Sequence, residues 1–553
     1  MYLVDYTKIF KKMATYLKIA SGLIFIIFLA LFLIQAGKNM STIPFHDFDE
    51  AHRAENAKRM KEYYSFLVPL TGSPVDRTND LRIPLRENND LFLYYHPERP
   101  PLVYWLMIAS TSTFDSAEWA YRLPSLVMAL ATIGVYLVFS FLFQKRINFY
   151  AIFIGLLALI TSADLWLSGQ YAQMDTTLTF FLFLSVISLI YYCDTKKPFL
   201  LILSGLSFAL AILGKGQPAV IFIFPLTYLL VSKKLPWKKF IRFVLYSMVI
   251  ILPWFFLLEI YFGLGRVLKT FTEFATRSAL VEYSHIEAPI FWYARWWFDS
   301  LRSGWILFMA LFLIDLLGGQ IGWKKKAILA YILGGFSFFS LSQNKIWWYV
   351  LPLVPAIAFY IYLSLPDYLA KNKDKLLNLS LAIFLAALPI FMASSNKITL
   401  AYGILMTTLV FIILKLLKFK TINLPSGSKE TGFVIAAVAS LSFFYQNFPK
   451  IIPYHYNTKF VAEYYKDLPG RKCLWIKDMP PETALFYSNA GEVLTLTENR
   501  SLFTNCMNYL ITPTDVQTDS LEYVDKGKEL HLKDQPVLIQ KGTMKLVKLG
   551  PSE

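Results

Sequence analysis

The 553-residue chain is 56% hydrophobic and only 17% charged, with a net charge of +16 at pH 7. A soluble protein carries about 25% charged residues, so the composition excludes an ordinary soluble protein and indicates an integral membrane protein. Residues 450–553 hold equal numbers of basic and acidic side chains; the positive excess therefore belongs to the membrane part, where it reports topology and contact with anionic headgroups rather than nucleic-acid binding.

The apolar runs predict a polytopic α-helical protein. The first run, at residues 17–37, is long enough to cross a bilayer core of about 30 Å. It is too long for a signal peptide, no small-residue cleavage site follows it, and many similar runs come later. Hydropathy predicts about thirteen spans, centred at roughly residues 27, 132, 157, 183, 206, 224, 250, 310, 334, 357, 385, 407 and 439.

The distribution of lysine and arginine predicts the orientation, because cytoplasmic loops hold an excess of both. With the N-terminus inside, the basic clusters fall on one side, at residues 145–146, 196–197, 232–242, 324–326, 371–375 and 415–420. The other face receives the segment 38–122 and everything after Pro449. We therefore expect a multi-pass membrane protein with a transmembrane domain at 1–449 and a soluble domain outside the cytoplasm at 450–553.

The segment after Pro449 has the pattern of a small α/β domain. Alternating stretches at 472–479, 492–498 and 535–540 predict strands, and residues 456–468 predict a helix. Cys473 and Cys506 would lie in an oxidising compartment, where they either form a disulfide or remain free thiols.

The first outer loop contains the tetrapeptide DEAH at residues 49–52, which also names a family of nucleic-acid helicases. A helicase needs a P-loop of the form GxxxxGK[ST]. The comparable stretch ILGKGQP at 212–218 lacks the first glycine and the hydroxyl residue, so we exclude a helicase. An alternative is that Asp49 is simply the N-cap of a helix, a role that is compatible with catalysis. Residues repeat after it at helical spacing, at Ala51, Ala54, Ala57, Met60 and Tyr64.

Ionisable side chains from six places in the sequence fall on the predicted outer face, although such groups are costly at membrane depth. They are Asp49 and Glu50, Glu98 and Arg99, Asp175, Lys215, His285 and Lys345. Each residue alone has a simpler explanation: Lys215 and Lys345 could extend to the lipid headgroups without a catalytic role, and His285 could be an interfacial histidine. Together they favour an anionic substrate that enters from the lipid, since Lys and Arg hold phosphate and a carboxylate can act as general base. No nucleotide-binding motif is present, so a sugar donor would be a polyprenyl phosphate or diphosphate and not a nucleotide sugar.

Six blocks carry a resemblance to a known class of enzymes: DEAHRAE (49–55), ERPPLVYW (98–105), YAQMDTTLTF (171–180), GKG (214–216), HIEAPIFWY (285–293) and FFSLSQNKIWWYVLP (338–352). They resemble the GT-C integral-membrane glycosyltransferases of the protein-mannosyltransferase-like group. The greatest similarity is to the bacterial aminoarabinose transferases that modify lipid A, which also have thirteen spans and a small periplasmic domain.

The resemblance also implies roles for individual residues. It implies Asp49, Glu50 and Asp175 as catalytic acids, and it implies a donor-phosphate site formed by Arg99, Lys215, Lys345 and Tyr349. It further implies Glu98 and His285 as ligands of a divalent metal, zinc-like in the family, whose coordination water or the donor phosphate would complete. Arg99 stands where the family has a lysine, and His52 where it has an arginine, which leaves the identity of the sugar open.

We therefore expect an inverting glycosyltransferase that moves an amino sugar such as aminoarabinose from undecaprenyl phosphate to lipid A at the periplasmic face. One alternative is a transferase that uses the same donor with a protein or glycan acceptor. Another is a transporter of lipid-linked sugars, although its inverted repeats and midplane charges are not apparent in this sequence. The resemblance places the protein in the bacterial inner membrane, with the catalytic domain at 1–449 and a periplasmic domain at 450–553. We expect a monomer in contact with membrane lipids and no nucleic-acid partner.

Overall fold

The structure is a computed structural model. It describes residues 6–45, 48–71, 82–84, 92–97, 99–115, 117–143, 148–280, 292–294, 296, 303–317, 321–343, 345–371, 456–470, 472–477, 481–488, 490, 493–495, 506–514, 522–525, 528–531 and 535–549.

Helices dominate the part of the chain before residue 372. They are α1 (Tyr6–Thr42), α2 (Phe48–Glu62), α3 (Leu102–Phe114), α4 (Glu118–Leu142), α5 (Phe149–Ile160), α6 (Ala163–Gln170), α7 (Asp175–Thr195), α8 (Pro198–Lys215), α9 (Ile223–Val231), α10 (Trp237–Phe262), α11 (Arg266–Leu280), α12 (Ser303–Leu317), α13 (Trp323–Leu341) and α14 (Val354–Lys371). Short 3₁₀ helices at Gln217–Phe222 and Trp347–Leu353 lead into α9 and α14.

Six of the described helical segments are long and apolar enough to cross a membrane, and a seventh results if α5 and α6, which meet at 54°, form one bent span. The outer faces of α1 and α10 expose many large apolar side chains, as expected of helices surrounded by acyl chains. The predicted centres near 385, 407 and 439 lie outside the described residues, so the total of about thirteen stays a prediction. Each of the other predicted centres falls within a helix.

Predicted inner loops meet at one end of the bundle. Lys324 pairs with Asp194 at the C-terminal end of α7 (2.7 Å), and Lys196 donates to the Lys234 carbonyl oxygen (3.3 Å). Asp175 begins the same helix and therefore lies at the opposite end. The basic loops and the predicted site thus occupy opposite ends of α7, as the charge pattern predicted.

The apolar face predicted for α2 is buried except at its last member. Tyr64 is 81% exposed, because α2 ends at Glu62 and Tyr64 takes a left-handed backbone conformation with φ of 55°. The other four residues are at most 1% exposed and pack in a cluster with α3, α4 and the C-terminal sheet: Ala51, Ala54, Ala57 and Met60.

The strands of the described residues form three sheets. Their bounds are β1 (Leu70–Thr71), β2 (Arg82–Pro84), β3 (Phe92–Tyr95), β4 (Lys472–Ile476), β5 (Val493–Thr495), β6 (Met507–Pro513), β7 (Glu522–Asp525), β8 (Lys528–His531), β9 (Val537–Lys541) and β10 (Met544–Leu549). The first sheet has the order β1-β3-β2, the largest β5-β4-β6-β10-β9, and β7 pairs with β8. In the largest sheet β4 runs parallel to β5 and β6, whereas β10 runs antiparallel to β6 and β9.

Two helices, α15 (Tyr456–Asp467) and α16 (Pro481–Ser488), accompany the largest sheet. The three predicted strands and the predicted helix of this part of the chain are present as β4, β5, β9 and α15, whereas the proposed boundary at 449/450 lies outside the described residues. A disulfide joins Cys473 in β4 to Cys506, with a Cα–Cα distance of 5.8 Å. Cys193 is a buried free thiol.

The C-terminal part of the chain docks on the segment that precedes the bundle. Lys459 of α15 forms an ion pair with Glu118, the first residue of α4. The Tyr487 hydroxyl of α16 donates to the same carboxylate (3.1 Å) and accepts from the Phe45 N–H (3.0 Å). These contacts fix the position of α16 against α2 and α4.

Candidate active site

A buried ion pair fixes the start of α2 against the bundle. Both oxygens of Glu50 accept from Arg122 of α4, from Nε at 2.7 Å and from Nη2 at 3.0 Å, and both side chains are 0% exposed. Glu50 Oε1 also accepts from the Ala172 N–H (2.9 Å). One carboxylate therefore joins α2, α4 and the turn before α7.

Arg122 also holds the end of α1. Its Nη atoms donate to the carbonyl oxygens of Met40 (2.9 Å), Ile43 (2.7 Å) and Pro44 (2.9 Å). Glu50, which the sequence suggested as a catalytic acid, is thus enclosed by its partners and cannot contact a substrate in this arrangement. Because Glu50 has no exposed surface and both of its oxygens accept from Arg122, its contacts position α2 against α4.

The neighbouring acid, Asp49, is open to a substrate. It lies in the first turn of α2 rather than before the helix, and its side chain is 28% exposed. Asp49 Oδ2 accepts from Arg53 Nη2 (2.8 Å), and Arg53 Nη1 donates to the Ala172 carbonyl oxygen (3.3 Å). Ala172 is therefore held through its N–H by Glu50 and through its carbonyl by Arg53.

The third predicted acid, Asp175, lies three residues after Ala172 and is the first residue of α7. Its side chain is 1% exposed. It accepts from Lys215 Nζ at the C-terminal end of α8 (2.5 Å). The Lys215 ammonium also lies 4.7 Å from the ring centroid of Tyr349, a distance at which a cation is attracted to an aromatic face. Asp49 and Arg53 lie close enough to interact electrostatically with both members of this pair.

Gly216 makes the turn that presents Lys215. Its φ is +80°, and a Cβ there would lie 3.2 Å from Phe271 and 3.4 Å from Pro100. Only glycine adopts this conformation without strain, and the same turn brings the end of α8 beside the segment that carries Arg99.

Arg99 also lies near the cluster. Its charge acts on both Tyr349 and His52. His52 is 0% exposed, its ring lies 5.7 Å from that of His96, and its Nε2 is 3.2 Å from Asn56 Nδ2. Burial first, and then the positive charge of Arg99, hold the pKa of His52 well below its usual value of 6.5. A histidine with this pKa is neutral at pH 7, so the cations of the cluster are arginine and lysine.

Lys345 is not part of this set of contacts. Its Nζ donates to the Ser342 carbonyl oxygen (2.8 Å) within its own loop. Tyr293 holds the next residue, Ile346, since its hydroxyl donates to the carbonyl oxygen (3.1 Å) and accepts from the N–H (3.2 Å). These two hydrogen bonds fix the backbone of the loop just before Tyr349. The Lys345 ammonium contacts Ser342 in the same loop.

The predicted metal ligands Glu98 and His285 both lie outside the described residues. Within the described ranges, no group of three or more His, Cys, Asp or Glu side chains is arranged to hold a metal ion. The metal stays a prediction.

The site therefore gathers Asp49, Asp175, Lys215 and Tyr349 from separate parts of the sequence, with Arg99 nearby. Its carboxylates and cations meet at one end of a helix bundle, where Asp49 is partly exposed and the Asp175–Lys215 pair is nearly enclosed. This arrangement can hold a phosphate beside a carboxylate. Sequence reasoning missed Arg53 and Arg122; the only signal for Arg53 was its i+4 spacing from Asp49.

Comparisons with known proteins agree with this fold. A profile of the dolichyl-phosphate-mannose-protein mannosyltransferase family matches residues 98–283. An uncharacterized protein of Aquifex aeolicus is 29% identical over 287 residues, which cover 52% of this chain and 63% of that protein. The undecaprenyl phosphate-alpha-4-amino-4-deoxy-L-arabinose arabinosyl transferase 1 of Pseudomonas fluorescens is 22% identical over 450 residues, covering 72% of this chain and 76% of that enzyme.

Solved structures extend the likeness to nearly the whole chain. ArnT from Cupriavidus metallidurans bound to undecaprenyl phosphate aligns with a TM-score of 0.63 and 15% identity, covering 96% of this chain and 99% of ArnT. Its apo state aligns with a TM-score of 0.61. The resemblance inferred from the sequence is therefore confirmed: the chain has the fold of ArnT, and residues 98–283 match the mannosyltransferase profile.

Proposed function

We propose that the protein transfers a sugar from a polyprenyl-phosphate donor to an acceptor at the outer end of the bundle. The observation that carries the proposal is the convergence of Asp49, Asp175 and Lys215, from three helices, at the end of the bundle away from the basic loops. Support also comes from the family profile and from the ArnT fold, one of whose structures binds undecaprenyl phosphate.

Lys215 and Arg99 would bind the donor phosphate and neutralise the charge that develops on it as the bond to the anomeric carbon breaks. Asp175 holds the Lys215 ammonium in place from one side and the Tyr349 ring faces it from another. Lys345 would act further out, where the donor enters. The leaving group is then the polyprenyl phosphate itself.

Asp49 would orient the acceptor and, if the acceptor is a hydroxyl, take its proton as the new bond to the anomeric carbon forms. If the acceptor is a lipid phosphate, it is already ionised, and Asp49 would position it or stabilise positive charge at the sugar carbon. Direct displacement inverts the anomeric configuration. Glu98 and His285 would hold a divalent metal in this scheme, and no step depends on that metal.

For the donor and acceptor we propose an amino sugar such as aminoarabinose on undecaprenyl phosphate, and lipid A. The named relative in Pseudomonas fluorescens supports an anionic partner. So does the charge of the site, because Arg53, Lys215 and Arg99 outnumber the carboxylates of Asp49 and Asp175. The site would then face the periplasm, because the basic loops at the other end of α7 follow the rule for cytoplasmic loops.

Two experiments test the proposal. Mass spectrometry of lipid A from cells with and without the gene is expected to show an added mass that matches a pentosamine or hexosamine. Unchanged lipid A, in cells shown to contain the donor, would move the acceptor to a protein or another glycan. Purified protein supplied with both the donor and lipid A should also release polyprenyl phosphate and form the sugar–lipid A product without any ion gradient, which a transporter cannot do.

A further inference from the structure

The helix that carries Asp49 is attached to the C-terminal part of the chain by one buried arginine. Arg59 lies on α2, and its side chain is 5% exposed. Its Nε pairs with Glu55 (2.8 Å) and its Nη1 with Glu62 (3.1 Å), both on α2 itself, whereas its Nη2 donates to the carbonyl oxygen of Ala490, just after α16. The two carboxylates therefore orient the guanidinium so that it joins α2 to α16.

Helix α16 also holds the residue that leads into α2. The Tyr487 hydroxyl accepts from the N–H of Phe45 (3.0 Å) and donates to Glu118 (3.1 Å). Phe45 is 0% exposed, and its ring lies 5.9 Å from that of Tyr487 and 4.7 Å, edge to face, from that of Phe486. Phe45 precedes Asp49 by four positions in the sequence. One hydroxyl of the C-terminal part of the chain thus fixes the backbone just before the proposed catalytic acid.

The helix bundle holds the same segment through Arg122. This arginine binds Glu50, and its guanidinium lies 5.2 Å from the ring centroid of Phe45, within the range in which a cation is attracted to an aromatic face. Glu50 and Arg59 are separated by about two and a half turns, or about 13 Å along an α-helix. Their side chains therefore lie on opposite faces of α2, one held by the bundle and the other by α16.

This double attachment restrains rotation of α2 about its own axis. A carboxylate on a helix lies about 5 Å from the axis, so a rotation of about 10° would move that of Asp49 by about 1 Å. A misplacement of about 1 Å can lower a reaction rate about 100-fold. Lys215, the proposed donor-binding group, is held by Asp175 of α7. A shift of α2 would therefore displace Asp49 more than Lys215.

We propose that Tyr487 is a positioning residue of the active site, whose hydroxyl fixes Phe45 and thereby the orientation of Asp49. Tyr487 acts through Phe45 and does not contact the reacting atoms. The C-terminal part of the chain thereby contributes to catalysis by completing the support of α2. This inference rests on the proposed transferase function, in which Asp49 meets the acceptor.

The test compares Tyr487→Phe with wild type, both as the purified full chain supplied with the polyprenyl-phosphate donor and lipid A. The substitution keeps the ring but removes the acceptor of the Phe45 N–H, and a buried N–H that loses its acceptor is destabilised where it is. We expect kcat to fall at least about tenfold, with an unchanged KM for the donor and an unchanged fraction of folded protein.

Tyr509→Phe is the matched control. Tyr509 and Tyr487 are both 6% exposed, but Tyr509 lies on β6 with its ring 5.5 Å from that of Tyr465, away from α2. Its kcat should equal that of wild type. Hydrogen exchange measured by mass spectrometry gives a readout that does not need activity: residues 40–55 should exchange faster in Tyr487→Phe and not in Tyr509→Phe.

A double-mutant cycle separates positioning from a general loss of active protein. Because Tyr487 acts through Asp49, Tyr487→Phe should cause no additional loss of rate in an Asp49→Asn background. An equal fold-loss in both backgrounds would overturn the proposal, as would wild-type kcat in Tyr487→Phe or an equal loss in the control.

The failure of this inference can be told from the failure of the proposed function. If wild type transfers no sugar, the proposed function fails, and unchanged exchange of residues 40–55 in Tyr487→Phe would then overturn the positioning role as well. If Tyr487→Phe does not fold, Phe486→Leu removes the other ring that packs on Phe45 and tests the same contact, with the same expected loss of kcat.

Discussion

Replacing Glu50 with glutamine separates a positioning role from a catalytic one. The substitution keeps the shape of the side chain but places an amide N–H₂ opposite Arg122 Nη2, where a carboxylate oxygen now accepts at 3.0 Å. Arg122 is 0% exposed and would keep its charge with only neutral acceptors as hydrogen-bond partners, namely the new amide oxygen and the carbonyl oxygens of Met40, Ile43 and Pro44. An uncompensated buried charge of this kind destabilises a protein by about 3–5 kcal/mol.

The assay is detergent-induced unfolding of the purified protein. Glu273→Gln is the matched control, because Glu273 is 50% exposed and lies 3.9 Å from Lys269; a pair of that kind contributes at most about 1 kcal/mol. Arg122→Gln and the double variant complete a double-mutant cycle, for which we expect a coupling free energy of about 1–3 kcal/mol. If Glu50→Gln loses transfer activity but unfolds like the control, Glu50 acts in the chemistry and the positioning role is refuted.

Three further predictions concern the same end of the bundle. Lys215→Met should lower kcat/KM for the donor by about 100-fold, and Lys215→Arg should recover part of it in a transfer assay; equal activity of Lys215→Met and wild type would contradict the phosphate-binding role. Gly216→Ala should lower the free energy of unfolding by about 1–2 kcal/mol, because φ is +80° and Phe271 lies 3.2 Å from the new Cβ. Because the pKa of His52 is depressed in the folded state, its contribution to stability is full above pH 6.5 and is lost as the pH falls toward the depressed value; His52→Gln should flatten this pH dependence, and an unchanged curve would contradict it.

The helices, and the grouping of the basic loops at one end of the bundle, could be predicted because each depends on a local sequence pattern. Apolar runs locate the helix centres, and basic loops such as those of Lys196 and Lys324 are found together at one end, as expected. The predicted burial of Ala51 and Met60 on α2 is also confirmed. Tyr64 breaks that pattern because the helix ends before it, and no residue of the sequence marks that end.

The site was predictable as a set of residue types but not as a set of contacts. The sequence treats Asp49 and Glu50 as an equivalent pair, yet one is open and the other enclosed. What distinguishes them is Arg122, which lies 72 residues away from Glu50, and no local pattern reports a partner at that separation. Lys345 failed to join the cluster for a similar reason, since its contact with Ser342 depends on the conformation of its loop.

The most direct test of the account is transfer by wild type and Asp49→Asn, measured as polyprenyl phosphate released from a lipid-linked sugar by purified protein. Asparagine keeps the size of the side chain and its acceptor for Arg53 but removes the charge. We expect Asp49→Asn to lose at least about 100-fold in rate while unfolding like wild type. Retained activity in a folded Asp49→Asn protein would remove Asp49 from the mechanism and contradict the proposed active site.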